Sequence, residues 1–183
     1  TDPHYMRAGR VPVNRAATSP SRFADRPPMD AAARLFRVGR LVAFPPETVY
    51  GLGADSTNDR AVAEIFAANH RPRFNPLIVH VRSLEQAEAH AQFNPIAREL
   101  AEVFWPGALT IVLPRCADCT LSELVSAGLQ TVALRVPAHP VARELLEASG
   151  LPVAAPSANA SGRISATTAQ HVEISLGREV DMI

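Results

Sequence analysis

The sequence predicts an α/β domain in which an open, twisted sheet carries helices on its faces, and three observations lead there. From Met29 onward, short apolar runs of strand length alternate with amphipathic stretches of helix length. The chain has 183 residues, 47% of them hydrophobic, which suffices for one full-sized core. No internal repeat or second domain is visible, and no apolar run approaches the roughly 18 residues of a membrane span.

Residues 1–28 are rich in Arg and Pro and have no periodic apolar face, so they read as a leader or flexible arm outside the core. They lack the continuous apolar stretch of a secretory signal. The domain is expected over 29–183, beginning with a helix at 29–38, a strand at 41–45, a helix at 60–69 and a strand at 76–82. Helices follow at 84–91 and 95–104, the latter with Asn94 as cap and Pro95 suited to the first helical position. Next come a strand at 108–113, a short helix at 120–126, and a strand at 130–136. The helix at 139–148 ends near Gly150, a strand covers 152–155, and a last helix spans 167–175. Residues 180–183, VDMI, read as the start of another strand.

Composition excludes several chemistries. All 18 positive residues are Arg, so a P-loop lysine, a Schiff-base lysine and a pyridoxal phosphate site are ruled out, and any phosphate must be held by Arg, hydroxyls and backbone N–H groups. Net charge is zero, yet residues 1–73 carry 11 Arg against 7 acidic residues, a skew that suits an anionic ligand or RNA as well as a plain solvated face. Cys116 and Cys119 form a lone Cys-x-x-Cys pair without a second pair, so they read as reduced, incidental thiols in a cytoplasmic protein and no zinc is expected.

Four segments put polar groups just beyond or inside apolar runs: PPETVYGLGADS at 45–56, RPRFNPLIVHV at 71–81, TVALRVP at 131–137 and PSANASGRISATT at 156–168. In an open α/β sheet such groups gather at the carboxyl ends of strands. Arg71 and Arg73 flank Pro72 and make a fork for phosphate or carboxylate, the alternative being a surface ion pair with Asp55 or Glu64. Strand alternation puts His80 with Ile78, opposite Leu77, Val79 and Val81, where a lone His is also compatible with a plain structural role. Arg135, near the end of an apolar strand, wants a fixed anion, from a ligand or an internal carboxylate. The small residues from Ser157 to Gly162 permit close backbone approach, as in an ordinary turn. Gly51-Leu-Gly53 reads as a turn, and a lone Gly-x-Gly is a poor dinucleotide signal.

Taken together, the four segments resemble the YrdC-like threonylcarbamoyl-AMP synthase family in order, spacing and wording, from about Met29 to the end. The resemblance implies a YrdC-like open, twisted, mixed sheet. It also implies that L-threonine, bicarbonate or carbon dioxide, and ATP are converted to threonylcarbamoyl-AMP and pyrophosphate, for threonylcarbamoyladenosine formation in tRNA. By the same resemblance Thr48, His80, Arg135 and the Ala155 backbone contact threonine, while Arg71, Asn75, Thr131, Ser157 and Ser165 hold the nucleotide, with Asn159 and Ser161 in support. Mg2+ is expected on the phosphates, and tRNA or a downstream tRNA-modification complex is the implied macromolecular partner.

The chain departs from the family pattern at Pro46, where the family has Thr, and at Asn69-His70-Arg71-Pro72, where the family has Lys-Gly-Arg-Pro. Asn69 thus removes a positive charge expected beside the polyphosphate. In the family a Gly-rich turn and a Ser-Thr-Val strand follow the last segment seen here, so the domain is expected to be incomplete at its carboxyl end. A weakened or non-catalytic nucleotide- or RNA-binding member, or a carbamoyl-transfer domain of a larger maturation protein, are the alternatives.

Overall fold

The computed structural model describes residues 29–45 and 47–183, so the expectations for residues 1–28 and for Pro46 lie outside the described residues. Local sequence signals set the helix ends. Helix α1 covers Met29–Arg37. Helix α2 (Asp59–Ala68) starts where Asn58 Oδ1 accepts the backbone N–H groups of Arg60 and Ala61 at 3.1 and 3.2 Å. After α3 (Leu84–Glu88), helix α4 (Pro95–Phe104) begins with Pro95 in the first turn and Asn94 accepting the Ala97 N–H at 2.8 Å. Helix α5 (Pro140–Ser149) stops at Gly150, whose φ of 70° is left-handed, and α6 spans Ala169–Leu176. The short helix expected at 120–126 is a 3₁₀ turn at Glu123–Ser126.

The strands are β1 (Val42–Phe44), β2 (Gly51–Asp55), β3 (Ile78–His80), β4 (Ile111–Pro114), β5 (Thr131–Arg135) and β6 (Val153–Ala154), ordered β1-β2-β6-β3-β5-β4. Only the β3–β5 neighbours run parallel, so the sheet is mixed, as expected. The VDMI segment does pair at the sheet's margin: Met182 bridges Val42 in parallel, and its carbonyl accepts the Ala43 N–H at 2.8 Å.

Strand β2 overturns the reading of Gly51-Leu-Gly53 as a turn, for all five residues of β2 are buried strand between β1 and β6. A Cβ on Gly53 would lie 2.7 Å from the Phe44 ring and 2.9 Å from that of Phe36. Glycine is therefore placed here for close packing, and its low strand preference hides the strand. Gly53→Ala is expected to destabilise the fold by about 1–3 kcal/mol through overpacking, read as a lower urea midpoint at unchanged slope.

Strand register sorts the core into two layers. Leu52, Ala54, Val79, Val81, Val132 and Leu134 join one cluster beneath α2, α4 and α6. Phe36, Phe44, Leu145, Leu146 and Val153 form the other, where α1 and α5 pack on the opposite face. That second layer covers the β1, β2 and β6 end of its face and leaves the part over β3 and β5 open for a cavity.

Candidate active site

The open part of the face is built by alternation. Leu77, Val79 and Val81 point into the first core layer, so Ile78 and His80 line the other side. Parallel pairing then sets Arg135 beside His80, and antiparallel pairing sets Val153 there too, while the Ala155 N–H donates to Ile78 O at 3.0 Å. The loop before β2 is drawn in by reciprocal bonds, Leu52 N–H to Pro156 O at 2.8 Å and Ala158 N–H to Tyr50 O at 2.7 Å. The result is a cavity of about 290 Å3 that Thr48, Arg71, His80, Arg135, Ala155 and Ser157 line together with Val49–Gly51, Pro76, Ile78 and Pro156.

Six expected site residues therefore meet in one place, but not at a shared carboxyl edge. Strand β6 runs antiparallel between β2 and β3, so its carboxyl end opposes theirs and the cavity spreads across the sheet face. Asn69, Asn75, Thr131, Asn159, Ser161 and Ser165 do not border the cavity. Thr131 shares the face of Arg135 at the other end of β5. Asn75 contributes its carbonyl, which accepts Arg71 Nε at 3.2 Å, and Pro76 O accepts Arg71 Nη2 at 3.0 Å.

Asn69 is buried, donates from Nδ2 to Ser157 O at 3.0 Å, and its carbonyl accepts the Ser161 N–H, so it ties the end of α2 to the 157–161 loop. Asn159 shapes the same loop by donating to the carbonyls of Ala160 and Arg163 at 2.9 and 3.0 Å. His70, at the family's Gly position, has a left-handed φ of 49°. The surface ion pair considered for Arg71 does not form: Asp55 accepts from Thr57, and Glu64 pairs with Arg60. Burial lowers the Arg71 pKa, and the group stays cationic at neutral pH.

Arg135 is the more enclosed cation. Its Nε and Nη2 both donate to Thr110 Oγ1, at 2.9 and 2.7 Å, and its Nη1 stands 4.0 Å from Glu47 Oε2. Glu47 Oε1 accepts the N–H groups of Ala138 and His139, joining the Thr48 loop to the start of α5. Burial lowers the Arg135 pKa and Glu47 raises it again in part. Burial first, and then the Arg135 charge, push His80 down to about 3, only partly offset by backbone groups of Val153 and Ile78. His80 is thus a neutral imidazole at neutral pH, packed edge-on against Phe44, and its Nδ1 has no hydrogen-bond partner.

Two guanidiniums, a neutral imidazole and the hydroxyl-bearing Thr48, Tyr50 and Ser157 around an otherwise apolar cavity suit planar anions held in fixed orientation. They provide no nucleophile-and-base pair. Sequence reasoning gave neither Thr110 nor Glu47 a place in the site. Neither stands in a telling local pattern, since both act through partners distant in sequence. Cys116 and Cys119 flank a turn outside the cavity, and among the described residues no three His, Cys, Asp or Glu side chains are grouped for a metal.

Known proteins sharpen this geometry. The Sua5/YciO/YrdC family model, described as telomere recombination, matches residues 34–183. A Bacillus subtilis protein named threonylcarbamoyl-AMP synthase is 52% identical over 147 residues, covering 80% of this chain and 42% of its own length. A Vibrio vulnificus protein of the same name is 33% identical, covering 85% of this chain and 84% of its own length. The crystal structure of Pyrococcus abyssi Sua5 complexed with L-threonine superposes with a TM-score of 0.81 at 48% identity, over 85% of this chain and 45% of that one. The chain spans less than half the length of the B. subtilis and P. abyssi proteins it matches. With the family model matching residues 34–183 and the fold superposing on that of P. abyssi Sua5, the chain belongs to the Sua5/YciO/YrdC family.

Proposed function

We propose that this chain carries the catalytic domain of a threonylcarbamoyl-AMP synthase, a nucleotidyltransferase that acts on L-threonine, bicarbonate or carbon dioxide, and ATP. The observation that carries the reading is the presence of two guanidiniums, Arg71 from the loop after α2 and Arg135 from β5, around one cavity with neutral His80 on β3 beside Arg135. L-threonine bound to P. abyssi Sua5 supports the choice of amino acid.

In this reading Arg135 takes the threonine carboxylate, and Thr48 and His80 orient its amine and hydroxyl ends. A neutral imidazole suits that task, since it accepts a hydrogen bond without repelling an ammonium. The amine, once deprotonated, adds to carbon dioxide and releases its second proton to solvent, and an oxygen of the resulting carbamate attacks the α-phosphorus in line. The bond to the β-phosphate breaks and pyrophosphate leaves with its electron pair. In the same reading Arg71 and Ser157 offset phosphate charge from the cavity wall, while Asn75, Thr131 and Ser165 extend the nucleotide's path beyond the cavity. The protein's contribution is orientation and charge stabilisation, without a covalent intermediate. Mg2+ enters as the counter-ion of ATP, because the lining residues include no carboxylate to hold it alone.

The product would feed threonylcarbamoyladenosine formation in tRNA, in the cytoplasm. No described helix is long and apolar enough to cross a membrane. The test is pyrophosphate release from ATP that depends on both L-threonine and bicarbonate. ATP binding without such release would favour the weakened, nucleotide-binding reading, for which the neutral Asn69 gives a reason.

A further inference from the structure

We propose that Thr110 is a positioning residue for the amino-acid subsite, holding the Arg135 guanidinium so that one edge stays open to a carboxylate; this rests on the threonine reading above. An Arg side chain has two bidentate edges, the Nε/Nη2 side and the Nη1/Nη2 end. Thr110 Oγ1 receives both donors of the first, at 2.9 and 2.7 Å. The end edge is left, with Glu47 Oε2 near Nη1 at 4.0 Å, beyond hydrogen-bond distance.

Thr110 is itself fixed by its surroundings. The β4–β5 register pairs Ile111 with Leu134, so Thr110 falls next to Arg135. The turn leading to it is pinned at both sides, with Trp105 Nε1 donating to Leu109 O at 2.7 Å and the Gly107 N–H to Val136 O at 2.8 Å. Glu47 is a competing anion whose Oε2 lies buried without a hydrogen bond. Without the Thr110 hydroxyl, the guanidinium has a nearby carboxylate to turn toward, and that movement would occupy the edge a substrate needs. The hydroxyl thus keeps Arg135 directed to the ligand rather than to Glu47.

Titration calorimetry with L-threonine and, separately, ATP tests this on the whole chain. Thr110→Val keeps the branched shape but removes the acceptor, and should weaken L-threonine binding about tenfold or more while ATP binding stays within about twofold. Thr110→Ser should restore the unsubstituted affinity, and Thr110→Ala gives the same comparison if the valine variant does not fold. Unchanged L-threonine affinity in Thr110→Val, or a serine variant as weak as the valine one, overturns the positioning role alone. Absence of L-threonine binding by the unsubstituted chain overturns the amino-acid reading and the role with it.

Discussion

Arg135→Ala is expected to weaken L-threonine binding by roughly a hundredfold or more, with ATP affinity changed far less. Truncating one partner of a buried, hydrogen-bonded charge pair typically costs about 2–5 kcal/mol, much of it from the charge left alone. Arg135 would form such a pair with the substrate carboxylate, because its side chain is only 16% exposed and Glu47, 4.0 Å away, gives it no hydrogen bond. Removing it would leave a substrate carboxylate facing Glu47 with no cation between them. Arg71 stands on a different element, with its guanidinium held by the carbonyls of Asn75 and Pro76, so Arg71→Ala should reverse the pattern and weaken ATP more. Calorimetry on both variants decides the matter. Equal loss of both ligands in each, with the fold intact by circular dichroism, would mean that the two cations serve one anion site and that the separate roles are wrong.

Much of this fold was legible because its signals are local. Asn58, Asn94 and Gly150 sit at helix ends and need only their neighbours to act, so α2, α4 and α5 fall close to their expected spans. Apolar alternation likewise exposed β3 and the side on which His80 lies. Strand β2 escaped because Gly53 answers to Phe36 and Phe44, one on a helix and one on the neighbouring strand. The cavity's position across the face, rather than at one edge, follows from β6 inserting antiparallel between β2 and β3, which no short segment reveals. Resemblance named Thr48, Arg71, His80, Arg135, Ala155 and Ser157, which the fold gathers around one cavity, whereas Thr110 and Glu47 became visible only once topology brought β4 and the Thr48 loop to Arg135.

Stability should fall steeply as the pH drops below about 6.5, and His80 should account for a large share of the fall. Its folded pKa, near 3, lies well below the model-peptide value of 6.5. Between those two values the unfolded chain binds a proton that the folded chain refuses, so stability is full above about pH 6.5 and is lost progressively toward pH 3. The slope approaches 1.4 kcal/mol per pH unit, on the order of 3 kcal/mol by pH 4. His90, whose pKa is lowered by burial and by Arg115, adds to the loss with the same sign. His80→Gln isolates the effect because an amide does not titrate. Its stability at pH 7 is immaterial; the comparison lies in how much each protein loses on going to pH 4.5, by urea unfolding at both values. The variant should lose markedly less than the unsubstituted chain. Parallel losses would mean that His80 takes up its proton in the folded protein at an ordinary pH, and that the cavity then presents an imidazolium to threonine rather than a neutral ring.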